Sequence, residues 1–254
     1  MNLNFVSNID GGISKNIIDF GFRVKIYSYD QINEATKSPN ETIIFDDGSL
    51  SIEALKEASN KSLVYTTNFS RSRGLGVPWM GHWADVDLLN NKKSITCGYS
   101  KQYDCFCYKM DNPKLIKELR KNFNTFVSDK DLTNEDKSFL FRNSRVFCNF
   151  DSGDLVSRSI FEAGACGGTV VTNQISSRSE MESVFESGVH ICTYESIEDC
   201  INKIKICLID DNFRKSAGSQ IFRLINKYHS SKKRAKQLIR TVKQFGSKYH
   251  LSEI

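Results

Sequence analysis

Short apolar runs alternate with amphipathic stretches over the first part of the chain. Four runs have the length and composition of buried strands, and a helical stretch at 51–59 separates the last two. These runs are residues 3–6, 22–26, 42–45 and 62–65. Strands that alternate with helices pair in parallel, because the crossover helix returns the chain to the same end of the sheet. The pattern therefore predicts a small α/β domain.

This pattern breaks between residues 71 and 89, where glycines, a proline and two tryptophans suit a connection. A second series of strands and helices follows. Strands are predicted at 94–97, 125–127, 145–150 and 169–172, and helices at 113–121, 134–141 and 155–165. Gly167 and Gly168 mark the end of the third of these helices. We expect a short N-terminal Rossmann-like domain over 1–89 and a second Rossmann-like domain over 90–228.

The C-terminal part of the chain is predicted to be helical. Apolar residues recur with helical spacing at 197–208 and 213–224, so both helices should lie against a sheet. Residues 229–254 form a basic amphipathic helix whose apolar face must dock on the protein. Its basic face is expected to be solvated, or to make weak contact with anionic membrane surfaces. Aromatic residues that would stack on bases are sparse there, so nucleic acid is not an expected partner.

Composition adds few constraints. Hydrophobic residues make up 39% and charged residues 26% of the 254 positions, as in ordinary folded proteins. The sequence has no apolar run of about 18 residues and no N-terminal secretion signal. We therefore expect a cytoplasmic protein.

The eight cysteines are scattered, and several lie within apolar runs. Cys105 and Cys107 are separated by one residue, whereas zinc-binding pairs usually have a gap of two or more. No histidine or second cysteine pair lies nearby in the sequence. We interpret the cysteines as buried thiols, and expect neither a metal site nor a cofactor.

One polar series carries candidate chemistry. Asp154, Arg158 and Glu162 recur every four residues, which on a helix gives one stripe across an arc of about 80°. The turn through Gly153 would place the start of this helix at the carboxyl edge of a parallel sheet, where phosphates bind. The same spacing also fits a helix cap followed by an ordinary ion pair. Spacing alone leaves both interpretations open.

The run from Asp154 to Thr172 resembles the donor-site segment of retaining glycosyltransferases with the GT-B fold, especially the group 1 branch that includes spore-maturation-type proteins. Such enzymes have two Rossmann-like domains that face each other across a cleft, and a C-terminal helix that crosses back to the first domain. The similarity covers roughly residues 93–245. It implies that Glu162 binds the nucleotide ribose and that Asp154 lies near the transferred sugar. The first acid of the family motif is usually glutamate, whereas this chain has the shorter Asp154.

The resemblance also implies that cationic side chains, in place of a metal, stabilise the leaving diphosphate. Arg158 and Lys101 are the candidates, and Lys101 follows Gly98 in a predicted turn. Gly11 and Gly12 follow the first strand and would let the backbone approach a ligand closely. His82 lies between two tryptophans and would contact the acceptor or carry a proton, although such histidines are more often packed.

These observations together predict a metal-independent, retaining transferase that moves a hexose from a nucleotide sugar donor. Its acceptor, a glycan, lipid-linked sugar, protein or small molecule, is not specified by the sequence. Two alternatives stay open: an epimerase or hydrolase of nucleotide sugars with the same fold, and a non-catalytic module that binds nucleotide sugars or glycans. The sequence lacks the nucleophile elbow, the P-loop and the dinucleotide fingerprint, so hydrolases of that type, ATPases and dehydrogenases lose support.

Overall fold

The computed structural model divides the chain into two compact units. One comprises Met1–Gly81 together with Ser230–Ile254, and the other comprises His82–His229. The domain limits expected from the sequence stay a prediction. The structure describes residues 2–7, 13–20, 23–35, 37, 42–46, 50–60, 62–67, 69–75, 80, 82–90, 102–151, 156–174 and 184–250.

The first unit contains a parallel four-stranded sheet in the order β2-β1-β3-β4. Every pairing in it is parallel, as the alternation of strands and helices predicts. Its strands are β1 (Asn2–Val6), β2 (Arg23–Tyr27), β3 (Thr42–Asp46) and β4 (Leu63–Thr66). Its first helices are α1 (Ile13–Asp19), α2 (Ile32–Ala35), α3 (Ile52–Ser59) and α4 (Phe69–Leu75). All four predicted strands are confirmed within one or two residues.

The second unit contains a parallel five-stranded sheet in the order β6-β5-β7-β8-β9. Its strands are β5 (Tyr103–Tyr108), β6 (Thr125–Ser128), β7 (Ser144–Asn149), β8 (Thr169–Asn173) and β9 (Cys192–Tyr194). Its helices are α5 (Val86–Leu89), α6 (Pro113–Asn122), α7 (Asn134–Asn143), α8 (Arg158–Ala165), α9 (Ile197–Ile209) and α10 (Asp211–Tyr228). The sequence pattern missed β5 and β9, and the strand predicted at 94–97 lies outside the described residues.

Side chains alternate between the two faces of this sheet. Phe106 of β5 and Phe147 of β7 point to one face, where both rings contact Phe141 of α7 with centroids 5.4 and 5.0 Å away. Their strand neighbours point to the opposite face and pack with α6 and α9. One face is thus aromatic, and the other is rich in cysteine.

Helix α8 begins later than predicted. The sequence pattern placed its start at residue 155, but the helix begins at Arg158. Ser157 has a non-helical backbone, and its Oγ accepts a hydrogen bond from the N–H of Ser159 at 3.2 Å, so it is the N-cap. The helix therefore starts three residues later than predicted, and Asp154 lies outside the described residues.

The end of α8 agrees with the prediction. Gly167 has a φ of +73°, which favours glycine, and the N–H of Gly168 donates to the carbonyl of Ala163 at 2.9 Å. Helix α10 packs closely on this turn, because a Cβ on Gly218 would lie 2.5 Å from the carbonyl oxygen of Gly167.

The long C-terminal helix α11 (Ser231–His250) belongs to the first unit, where it packs against α1. The side-chain amide of Asn16 donates to Ser231 Oγ at 3.1 Å, and the Lys236 ammonium lies 5.6 Å from the Phe20 ring centre. Burial lowers the pKa of Arg234 to about 10, so this side chain is charged at neutral pH. The predicted return of the last helix to the first domain is confirmed.

Among the described residues, no helix has both the length and the apolar character that crossing a bilayer requires.

Candidate functional site

The strand order of the second sheet reverses around β5. This strand pairs with β6 on one side and with β7 on the other. The connections that leave β5 and β7 run to opposite faces at such a position, which opens a crevice at the carboxyl ends of the strands. Ligands of open α/β sheets bind there, so the segments after β5 and β7 are the first place to seek a site.

The connection from β7 to α8 is held by a network of hydrogen bonds, which we call the junction: Asn149, Asp151, Ser157 and Asn173. Asp151 Oδ2 accepts hydrogen bonds from Asn149 Nδ2 at 2.9 Å and from the backbone N–H of Ser157 at 3.0 Å. The side chain of Asn173 forms two hydrogen bonds with the backbone of Asp151. Its Oδ1 accepts one from the Asp151 N–H at 2.8 Å, and its Nδ2 donates one to the Asp151 carbonyl at 2.9 Å. The junction therefore fixes the backbone where the chain leaves β7.

Asp151 has an unusual protonation equilibrium. Burial disfavours its charged form and raises the pKa of this carboxyl to about 6, although the two hydrogen bonds that Oδ2 accepts act in the opposite direction. Its charge therefore changes close to neutral pH. Sequence reasoning did not select Asp151, although an acid two residues beyond a strand at the carboxyl edge was a usable signal.

Glu162, the single carboxylate of α8, is deeply buried, with 2% of its surface exposed. Lys137 Nζ, on α7, donates to both of its oxygens, at 3.3 Å to Oε1 and 3.0 Å to Oε2. The ammonium also lies 5.2 Å from the centre of the Tyr108 ring, at the end of β5. Lys137 thus links the helix after β7 to the end of β5. Sequence spacing could not identify it, because the contact depends on how α7 packs beside α8.

Arg158 and Glu162 are brought together, as their spacing predicts. Arg158 Nε lies 3.2 Å from Glu162 Oε1, although the N–H is not aligned for a hydrogen bond with that oxygen or with any other described atom. About a third of the Arg158 side chain is exposed. The ion pair leaves the guanidinium with hydrogen-bonding capacity toward a ligand.

His82 is buried among rings of the second unit. Its imidazole packs edge-on against Phe161 with centroids 6.2 Å apart, and the Trp83 ring lies 6.5 Å away. Phe161 also contacts the ring of His229 at 5.5 Å. These contacts are typical of packed histidines, and a role for His82 with the acceptor stays a prediction.

The other residues selected from the sequence, Asp154, Gly153, Lys101, Gly98, Gly11 and Gly12, lie outside the described residues. Their roles stay predictions. The described turn that follows β5 contains a different cation, Lys109, which has a φ of +48° and forms an ion pair with Asp131.

A sequence model of the glycosyl transferase-like family matches residues 113–240, a stretch that includes the junction, Lys137, Arg158 and Glu162. The chain belongs to this family. It is a group 1 glycosyltransferase, as the resemblance of the segment from Asp154 to Thr172 implies. Membership of the spore-maturation branch stays a prediction. No curated protein sequence matches the chain significantly.

Several solved structures have the same fold as this glycosyltransferase. HepE of Anabaena, solved with UDP, has a TM-score of 0.65 and 12% identity, with 96% of this chain and 100% of that chain covered. Sucrose-phosphate synthase of Thermosynechococcus elongatus has a TM-score of 0.69 and 8% identity, with 97% and 99% covered. A glycosyltransferase of Rickettsia africae has a TM-score of 0.65 and 10% identity, with 96% and 98% covered. The predicted fold class, two Rossmann-like domains of the GT-B type, is confirmed.

Proposed function

We propose that this glycosyltransferase transfers a hexose from a nucleoside diphosphate sugar to an acceptor in the cytoplasm, with retention of configuration and without an obligate metal. A uridine nucleotide is the first donor to test, because HepE was solved with UDP and with UDP-glucose. The acceptor class, whether glycan, lipid-linked sugar, protein or small molecule, is left to experiment.

The observation that carries the proposal is the buried Glu162 carboxylate on α8, with Lys137 and Arg158 beside it. Each carboxylate oxygen has more than one lone pair, so it can accept a hydrogen bond from a ligand hydroxyl while Lys137 holds the carboxylate in place. Ribose hydroxyls of a nucleotide are suitable donors. Lys137 would then orient the carboxylate, and Glu162 would bind the sugar ring of the nucleotide.

Arg158 is suited to the diphosphate. Negative charge grows on the leaving phosphate as the glycosidic bond breaks, and a fixed cation stabilises that charge. The N–H of Ser159, in the first turn of α8, already donates a hydrogen bond to Oγ of the capping Ser157. The Arg158 side chain, rather than that N–H, is therefore the group on α8 that we assign to the phosphate. Lys101 would add a second cation, and Asp154 would lie near the transferred sugar.

Catalysis in this scheme depends on positioning and electrostatics. Holding the acceptor hydroxyl on the face of the hexose that the diphosphate leaves supplies much of the rate and preserves the configuration, and the departing phosphate accepts the proton of that hydroxyl. No side chain needs to act as a nucleophile.

The donor site is tested by thermal unfolding of the full chain with uridine, guanosine, adenosine and cytidine diphosphates and their hexose derivatives, with and without EDTA. A ligand at 100 times its Kd adds about 2.7 kcal/mol to the free energy of unfolding, which raises Tm measurably. We expect one nucleotide series to stabilise the wild type in EDTA and to have little effect on Glu162→Gln. Glu135→Gln is the matched control, because Glu135 is an exposed glutamate on α7.

Two results would count against the donor site: no nucleotide raises Tm of the folded wild type, or Glu162→Gln responds as well as Glu135→Gln. A requirement for metal would remove the metal-independent part of the proposal. Incubation with the stabilising nucleotide sugar, without acceptor, then distinguishes the chemistry. Rapid release of free or isomerised sugar would identify a hydrolase or an epimerase instead of a transferase.

A weak contact with anionic membranes is a separate part of the proposal. Four exposed basic residues of α11, Lys232, Lys233, Lys236 and Arg240, supply the charge. Cosedimentation with vesicles of anionic lipid should decrease as salt rises. Equal cosedimentation with neutral vesicles would contradict an electrostatic contact.

A further inference from the structure

Four cysteines meet on the face of the second sheet that carries α6 and α9. Cys105 and Cys107 are two residues apart on β5 and therefore point to the same face. Cys148 of β7 pairs with Cys107 in the strand register. Cys200 comes from α9, which packs over these strands. All four side chains are fully buried and reduced. We call them the thiol cluster.

Three sulfur atoms of the cluster have the spacing of metal ligands, and the fourth is adjacent to one of them. The Sγ atoms of Cys105, Cys107 and Cys148 all lie within 4.8 Å of one another, with 4.0 Å between Cys105 and Cys107. Cys200 Sγ lies 3.6 Å from that of Cys148. Zinc bound to four thiolates has Zn–S distances of about 2.3 Å, which puts the sulfurs about 3.8 Å apart. Cys105, Cys107 and Cys148 are thus already spaced as ligands of one ion, and Cys200, beside Cys148, would move its side chain toward the other two to become the fourth.

We propose that Cys105, Cys107, Cys148 and Cys200 bind one Zn²⁺ in a closed tetrahedral site. Each thiol that binds loses its proton to solvent, since the thiolate is the ligand. No position is left open for a water molecule or a substrate, so the ion has a structural role. It takes no part in sugar transfer, and it is independent of the proposed donor.

The ion would stabilise the support of the functional site. It would join β5, β7 and α9, three elements that are distant in sequence. Cys148 directly precedes Asn149, whose side chain donates to Asp151 in the junction. Zinc would thus fix the position of β7 immediately below the point where the chain turns toward α8.

The same unit offers a matched control. Cys192 and Cys207 are also buried and their Sγ atoms lie 3.9 Å apart. Replacing this pair removes two buried thiols from the same core without touching the proposed ligands. Comparison of the two double variants therefore separates loss of ligands from loss of packing.

The test uses the untagged full chain, denatured and refolded with equimolar Zn²⁺ and a thiol reductant, followed by gel filtration and elemental analysis. Co²⁺ in place of Zn²⁺ provides a spectroscopic readout, because tetrahedral thiolate coordination gives strong sulfur-to-cobalt charge-transfer absorption. We expect wild type and Cys192→Ala/Cys207→Ala to retain one metal per chain. Cys105→Ala/Cys148→Ala should lose the metal and the cobalt spectrum.

The wild type alone can overturn the proposal, so the test does not depend on the folding of a variant. Folded wild type that emerges without zinc and without the cobalt spectrum excludes the site. Metal that persists in Cys105→Ala/Cys148→Ala, or that is lost equally from Cys192→Ala/Cys207→Ala, shows that other groups bind it. Zinc that is retained by wild type and control alone supports the site, and it should also raise the Tm of both.

Discussion

Lys137 Nζ lies 3.0 Å from Glu162 Oε2, although the two residues come from different helices. Only 15% of the lysine side chain and 3% of the glutamate side chain are exposed. A carboxylate this deeply buried needs nearby cations and donors to offset the loss of hydration. The pair therefore couples the stability of the α7–α8 packing to the geometry of the proposed ribose site.

Replacement of Lys137 with methionine should destabilise the protein. The substitution leaves Glu162 with the Arg158 contact but without its aligned donor, which costs about 1–3 kcal/mol for a buried polar group. Urea unfolding measures the loss. The double variant Lys137→Met/Glu162→Gln, which also removes the charge, should lose less than the sum of the two single variants. Strictly additive losses would mean that the two side chains are not coupled.

The raised pKa of Asp151 predicts a specific dependence of stability on pH. Its pKa is about 6 in the folded chain and close to 3.8 when unfolded, so the folded state binds the proton more tightly. Its contribution to stability is therefore largest below about pH 4 and falls as pH rises through about 6. Relative to Asp151→Asn, the free energy of unfolding of the wild type should fall by up to about 3 kcal/mol across this window. Solvent screening of the partly exposed carboxyl makes the fall smaller.

The comparison requires urea unfolding of both proteins at pH 4 and at pH 7. Other carboxyl groups titrate in both and cancel in the difference. A difference in unfolding free energy that stays constant across the range would show that Asp151 titrates normally.

Arg158→Gln tests the group assigned to the diphosphate. Loss of a charge-assisted contact should weaken binding of the nucleoside diphosphate about tenfold or more, which corresponds to about 1.4 kcal/mol. Binding of the corresponding nucleoside, which has no phosphate, should change little. Calorimetric titration of both ligands into wild type and variant measures the difference. Equal weakening of both ligands would point to a general disturbance of α8.

Gly218→Ala should destabilise the second unit. The new Cβ would lie 2.5 Å from the Gly167 carbonyl oxygen, and a backbone atom cannot move without displacing the end of α8. We expect a loss of about 1–3 kcal/mol in chemical denaturation. Gly74→Ala is the control, because this exposed helical glycine has open space around its Cβ position and should gain up to about 1 kcal/mol. Equal effects of the two substitutions would contradict the close approach of α10.

The sequence predicts elements whose apolar pattern is regular. The strands of the first unit and the end of α8 at Gly167 are examples, because each depends on neighbouring residues. The start of α8 was predicted three residues too early, because Ser157, which the junction holds through Asp151, caps the helix. Strand β5 was missed because Tyr103, Asp104 and Lys109 obscure its short apolar centre.

Contacts across the sheet could not be predicted. Lys137 and Glu162 are 25 residues apart, and Cys148 and Cys200 are 52 residues apart. Their proximity depends on the packing of helices and on strand register, which sequence spacing does not contain. The expectation of buried thiols is confirmed for the described cysteines, but the cluster that four of them form could not be predicted.

The return of α11 to α1 has a consequence for synthesis on the ribosome. The second unit is one continuous segment, His82–His229, whereas the first unit needs residues from both sides of it. The second unit can therefore complete its sheet while the chain is still being made, since domains fold as their residues emerge. The first unit must wait until the whole second unit has been translated. During that interval the apolar surface of α1 that α11 later covers is exposed, which makes the nascent first unit the expected target of chaperones.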